Sequence, residues 1–251
     1  MGLTPQAGPS PEERIVVALD VPTPESLTPL VRTLAGAVRR YKIGMSLFYA
    51  AHRAAIETVH NAGGSVFLDL KLHDIPSTVA RTVRALAALD VDWLTVHALG
   101  GREMLEAAQE AAETAGGRPK LFAVTILTSH TPSSLAAIGL RGTPEEHALS
   151  LAESARQSGL FGVVASPKEA AAIKATHGDA LFVVTPGIRF DGGGSGADDQ
   201  ARTAGPEEAV RAGSDALVVG RPIIQSADPR AAFYAVRNAV ARALSDRFSS
   251  P

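Results

Sequence analysis

Apolar residues along the chain gather into short blocks, and after each block they recur every three or four positions through a longer, Ala-rich stretch. The blocks are IVVALD (15 to 20), YKIGM (41 to 45), SVFLDL (65 to 70), WLTVH (93 to 97), LFAVTIL (121 to 127), GVVAS (162 to 166), LFVVT (181 to 185) and ALVVG (216 to 220). Runs of this length rich in Val, Ile, Leu and Phe predict strands, and the helical spacing between them predicts repeated βα units around a mostly parallel sheet. Helices are expected over roughly 25 to 38, 47 to 62, 75 to 89, 101 to 115, 144 to 157, 168 to 176, 206 to 212 and 229 to 247. Eight such units in 251 residues fit one (β/α)8 TIM barrel of the α/β class over 15 to 247, since open sheets of this kind more often stop at five or six strands. No linker or composition shift divides the chain.

One block breaks the apolar pattern. VFLDLKLHDIPSTV (66 to 79) starts as a buried strand and then sets Asp69, Lys71, His73 and Asp74 among leucines. Residues two apart on a strand face one side, so Asp69 and Lys71 are expected to project together at the barrel mouth. Asp20 ends the first strand and Lys42 lies on the second, and neighbouring strands are about 4.8 Å apart, which brings all four charges within reach of one another. Buried charges must be paired, and alternating signs permit pairing. Blander readings exist for each residue alone: Asp74 as the cap of the following helix, Lys42 laid along the barrel surface, and Asp20 capping a turn with Pro22. Their occurrence together at the ends of three successive strands favours a site, because core stability is better served by apolar residues there.

His73, His97, Asp69 and Asp20 near the same rim raise the question of a metal, but Lys42 and Lys71 would repel a cation held among them. His97 in TVHALGG is read as a structural group buttressing the mouth. On the far side, TPGIRF (185 to 190) and VVGRP (218 to 222) follow the seventh and eighth strands, where barrels commonly bind phosphate. Glycine lets backbone N–H groups approach an anion and arginine offers a fork to its oxygens, so Gly187, Arg189, Gly220 and Arg221 form an expected phosphate grip. Taken singly, Gly220 reads equally well as a turn glycine and Arg221 as a solvated charge. The run GGGSG (192 to 196) is expected to be a flap over bound phosphate, its alternative being a surface loop. No GxxxxGK[ST] motif supports a triphosphate-binding loop.

Composition narrows the partners. With 24 Lys and Arg against 26 Asp and Glu, net charge is -2, and without blocks of like charge neither a nucleic-acid groove nor a polybasic membrane patch is indicated. The partner is expected to be a small molecule. Cysteine is absent, which removes disulfides, thiolate nucleophiles and Cys-bound zinc and fits a reducing cytoplasm. MGLTPQAGPSPEER (1 to 14) lacks an apolar run and reads as a flexible terminus rather than a signal peptide, and Gln6 breaks the myristoylation pattern.

Taken together, YKIGMSLF, DLKLHDIPSTV, TVHALGG, VTILTS, TPGIRF, DDQAR and VVGRPI closely resemble the orotidine 5′-phosphate decarboxylase family, over essentially Ile15 to Ile224. The resemblance implies decarboxylation of orotidine 5′-monophosphate to UMP at the end of de novo pyrimidine synthesis, without cofactor or metal. It implies a charged network of Lys42, Asp69, Lys71 and Asp74, with Lys71 as proton donor and Asp74 entering from the partner subunit of a cytoplasmic homodimer with shared sites. Asp20 and Lys42 would hold the ribose hydroxyls, Thr78 would sit beside them from the other subunit, Ile75 would also bind substrate, and Thr128 would contact the pyrimidine. Arg189, Gln200, Gly220 and Arg221 would bind the phosphate and adjoining ring edge, with the GGGSGA insert a departure from the family pattern that bears on Gln200. Two rivals stand beside this reading: a Mg²⁺-dependent sugar-phosphate decarboxylase or aldolase on a related barrel, and a non-catalytic barrel that binds a phosphorylated ligand.

Overall fold

The eight apolar blocks pair side by side in chain order and close into a parallel barrel in the computed structural model, which describes residues 9–190 and 203–249. Its strands are β1 (Ile15–Ala18), β2 (Arg40–Gly44), β3 (Ser65–Leu72), β4 (Trp93–His97), β5 (Lys120–Val124), β6 (Gly162–Val164), β7 (Phe182–Thr185) and β8 (Ala216–Val219). Around them run α1 (Leu27–Leu34), α2 (Met45–Asn61), α3 (Pro76–Ala87), α4 (Gly101–Thr114), α5 (Pro132–Ala137), α6 (Pro144–Gln157), α7 (Pro167–His177), α8 (Pro206–Arg211), α9 (Arg221–Ile224) and α10 (Pro229–Ser249). Parallel strands need a crossover, and the helices supply it while burying one face against the barrel's outer side.

Several helices start on the same local signal. Proline at the first helical position lacks the N–H that would go unbonded there, and a preceding Thr supplies a side-chain acceptor to the next free donors. At α6, Glu146 N donates to Thr143 Oγ1 at 3.2 Å while Thr143 N donates to Glu146 Oε2 at 2.8 Å, a reciprocal capping box.

Two short helices lie outside the expected set. Both α5 and α9 are a turn or so long, too short for helical periodicity to register. Most strands also end sooner than their apolar blocks: β1 stops at Ala18, β5 at Val124 and β8 at Val219. Asp20 and Gly220 therefore lie in the turns of the mouth, beyond the strand ladder.

Alternation along the strands divides the core in two. Outward residues such as Val17, Ile43, Leu68, Leu94 and Val183 pack with the helices. Inward residues Val16, Ala18, Phe67, Trp93, Phe122, Val184, Ala216 and Val218 form a separate interior cluster, joined by Phe182. Its rings touch edge to face, Phe67 with Trp93 at 5.5 Å and Trp93 with Phe182 at 5.5 Å between centroids. Gly162 is required by this filling, since a Cβ there would lie 2.1 Å from the Phe182 carbonyl oxygen and 2.9 Å from the Phe122 ring. Beneath the rings, the Arg40 guanidinium sits 3.7 Å from the Trp93 centroid and Lys120 Nζ lies 3.9 Å from that of Phe161.

Candidate active site

At the opposite, C-terminal end of the strands the interior turns ionic. Lys42 Nζ stands 3.2 Å from Asp20 Oδ1 and 3.6 Å from Asp69 Oδ2, and Lys71 Nζ is 2.9 Å from Asp69 Oδ1. The order Asp20, Lys42, Asp69, Lys71 alternates in sign, so each inner charge faces opposite charge on two sides. Burial alone would push the Lys42 ammonium toward neutrality, but the carboxylates of Asp69 and Asp20 outweigh it and its pKa lies above the ordinary lysine value. For Asp69, burial acts upward, yet Lys42, Lys71 and two hydrogen bonds hold the carboxyl below its ordinary range. Both therefore remain charged. Gly44 leaves the room they need, since a Cβ there would come within 3.2 Å of Lys42 Nζ and 3.5 Å of Asp20 Oδ1.

Asp69 and Lys71 meet as expected, but not by simple alternation. Between β3 and β4 the register runs Phe67 to Trp93 and Leu68 to Leu94, then resumes only at Leu72 to Val96. Asp69, Leu70 and Lys71 thus face Thr95 alone, and Lys71 takes a left-handed φ of 51° that a non-glycine residue seldom adopts. Thr95 is fully buried; its Oγ1 accepts from Lys71 N at 2.8 Å and donates to Asp69 Oδ1 at 3.0 Å. Sequence reasoning missed this residue. The available signal was a hydroxyl in the middle of the otherwise apolar WLTVH, two positions before a histidine also on the inner face.

A cavity of about 280 Å³ opens beside these charges. Asp20, Lys42, Asp69 and Lys71, on or just after β1 to β3, line it together with Gly187, Arg189, Gly220 and Arg221, which follow β7 and β8, and with Thr128. Phe67, Val124, Val164 and Val218 make its floor. Gly187 has φ 77°, a left-handed turn that suits glycine and aims the chain back toward Arg189. The Arg189 segment is tied to the start of the next unit, Arg189 N donating to Ala204 O at 2.9 Å. Gln200 and the GGGSG run lie outside the described residues.

Asp74, Ile75 and Thr78 do not join this cavity in the single chain. Asp74 is exposed and its Oδ1 accepts from the adjacent Ile75 N at 2.6 Å. It does not cap α3 either, because Ile75 occupies the cap position before Pro76. Ile75 beside it is 64% exposed. His97 is nearly buried, accepts from Leu99 N at Nδ1 (3.3 Å) and stacks on His73. Burial, with His73, Lys71 and His130 nearby, pushes its pKa down to about 4, so it buttresses the mouth as a neutral ring. Among the described residues no group of three or more His, Asp or Glu side chains is placed to hold a metal ion.

Residues 13–236 match the family model described as Orotidine 5′-phosphate decarboxylase / HUMPS family. The chain belongs to the orotidine 5′-phosphate decarboxylase / HUMPS family. Within it, the chain is 51% identical over 230 residues to the orotidine 5′-phosphate decarboxylase of Halorhodospira halophila, covering 92% of this chain and 97% of that one. That of Nitrosococcus oceani is 45% identical over 225 residues, 90% of this chain and 96% of its own. Among solved structures, orotidine 5′-phosphate decarboxylase from Lactobacillus acidophilus superposes with a TM-score of 0.79 at 39% identity, covering 90% of this chain and 98% of that one. Among the described residues no helix is long and apolar enough to cross a membrane.

Proposed function

We propose that the protein decarboxylates orotidine 5′-monophosphate to UMP and CO2, the last step of de novo pyrimidine synthesis, with no cofactor and with Lys71 as proton donor. The observation that carries this reading is that one cavity is lined both by the alternating Asp20, Lys42, Asp69, Lys71 row and by Gly187, Arg189, Gly220 and Arg221. The family membership and the names of the relatives support the substrate.

The chemistry follows from the charges. The bond from C6 of the pyrimidine to its carboxylate breaks, CO2 leaves, and the electron pair stays on C6 in the ring plane, where the ring carbonyls cannot delocalise it. Stabilisation must then be electrostatic, and an ammonium already fixed beside Asp69 costs no reorganisation as charge develops. Lys71 passes its proton to C6 and recovers one from solvent. Asp20 and Lys42 hold the ribose hydroxyls, Thr128 contacts the base, and the arginine rim, with Gln200, binds the phosphate. Binding energy at the remote phosphate supports closure and raises kcat, so substrate lacking phosphate should turn over poorly.

Exposed Asp74 and Ile75, with half-buried Thr78 in the first turn of α3, fit a homodimer in which each subunit completes the other's site, and a small-molecule enzyme of this kind belongs in the cytoplasm. Metal-stripped protein should form UMP from orotidine 5′-monophosphate at an undiminished rate. Activity that disappears with EDTA and returns with Mg²⁺ would sink the metal-free mechanism in favour of the Mg²⁺-dependent rival, while tight UMP binding with no turnover would favour a binding protein. Mixing inactive Lys71→Ala and Asp74→Ala proteins should restore activity, because the mixed dimer contains one intact site; no recovery after verified subunit exchange counts against sharing.

A further inference from the structure

Three residues of β3 stand against a single residue of β4, and two of the three carry the charges nearest the reacting atoms on the proposed chemistry. At such a bulge the extra residues lose their regular ladder partners. Here the Thr95 hydroxyl replaces one of them: it takes the Lys71 backbone N–H at 2.8 Å and gives its own proton to Asp69 Oδ1 at 3.0 Å. Lys71 holds a left-handed φ of 51°, a conformation that persists only where the surroundings over-determine it. The same Asp69 oxygen receives Lys71 Nζ at 2.9 Å, while Oδ2 faces Lys42 at 3.6 Å. One hydroxyl therefore clamps both the backbone that launches Lys71 and the carboxylate oxygen that aims its ammonium.

We propose that Thr95 is a positioning residue of the decarboxylation site, whose hydroxyl fixes the β3 bulge and through it the direction of the Lys71 ammonium. It touches no substrate, since Thr95 is fully buried and does not line the cavity. The proposal rests on the decarboxylase reading. A side chain that acts only on geometry governs the chemical step more than ligand binding, and displacement of a reacting group by about 1 Å is commonly worth about 10²-fold in rate.

Thr95→Val keeps the shape and removes the hydroxyl; Thr95→Ser keeps the hydroxyl and removes the methyl. Turnover of orotidine 5′-monophosphate should fall about 10²-fold in Thr95→Val with KM changed less than about threefold, and Thr95→Ser should stay within about threefold of the parent in kcat. A hydroxyl needed only for folding would lower the melting temperature without this split between kcat and KM. Parental kcat in Thr95→Val, or Thr95→Ser as impaired as Thr95→Val, overturns the proposal. If Thr95→Val does not fold, Thr95→Ala and Thr95→Ser, which differ by one oxygen, carry the comparison: equal kcat in the two overturns it, and a large deficit confined to Thr95→Ala supports it. An unmutated protein without turnover would instead remove the decarboxylase reading on which the proposal stands.

Discussion

Arg40 and Lys42 sit two residues apart on β2 and project into the same barrel, yet they meet opposite surroundings. Arg40, at the closed end, holds its guanidinium 3.7 Å from the centre of the Trp93 ring, and burial pulls its pKa below the ordinary arginine value despite Asp92 and Glu13. Lys42, at the open end, lies between two carboxylates and is held above the ordinary lysine value. A ring face accommodates a cation without fixing its direction; two carboxylates fix both its charge and its aim. Burying a charge is thus no mark of a site by itself. What separates the two ends is the partner: at the mouth the cation meets carboxylates that line the same cavity as Arg189 and Arg221, whereas at the floor it meets a ring face, beside a pocket it shares with Glu13, Asp92 and Arg118.

The sharpest break of that contrast is at the mouth. Lys71→Ala should lower kcat by about 10⁴-fold or more in steady-state assays of UMP formation, because it removes the proposed proton donor and the charge that faces C6, while the melting temperature changes little. At the floor the effects should reverse. Trp93→Ala empties the centre of the ring cluster and should cost about 3–5 kcal/mol in urea unfolding, with kcat at a temperature well below the transition within about threefold of the parent. A large loss of turnover in folded Trp93→Ala would show that the two ends are not independent.

Acid sharpens the comparison further. His97, with a pKa near 4 against an ordinary 6.5, must stay neutral in the folded chain, whereas the unfolded chain protonates it from about pH 6.5 downward. Its share of stability is therefore complete above pH 6.5 and declines as pH falls toward 4. Asp69 behaves differently: its contribution is complete above its ordinary 3.8 and is lost only as pH drops through its lower folded value. Lys42 closes the other side, its contribution present below 10.5 and lost as pH rises through its raised folded value. Melting temperatures between pH 7 and 4.5 should decline less in His97→Asn than in the parent. The smallest effect belongs to Arg40→Met, which should cost about 1 kcal/mol and leave kcat within about twofold; a tenfold loss of activity there would erase the distinction between the two buried cations.

The barrel was legible because eight apolar blocks at regular spacing admit few other architectures. Asp20, Lys42, Asp69 and Lys71 could be placed together because each occupies or follows a strand end, where neighbour distances are set by the ladder. Local departures were not legible. Nothing in DLKLHD announces that Lys71 adopts a left-handed φ or that three residues there oppose one, since a bulge depends on the partner strand. Thr95 was passed over for the same reason: its importance lies in what β3 does opposite it. Asp74, Ile75 and Thr78 fall outside the single-chain cavity, and their expected place rests on a second subunit that no single-chain pattern can supply.

The aromatic floor has a consequence for traffic. Phe67, Trp93, Phe122 and Phe182 stopper the barrel with rings in mutual contact, so among the described residues the cavity has one door, at the mouth. On the proposed reaction, substrate arrives and nucleotide departs by that same door, in single file, and UMP lingering in the mouth must act as a strictly competitive inhibitor.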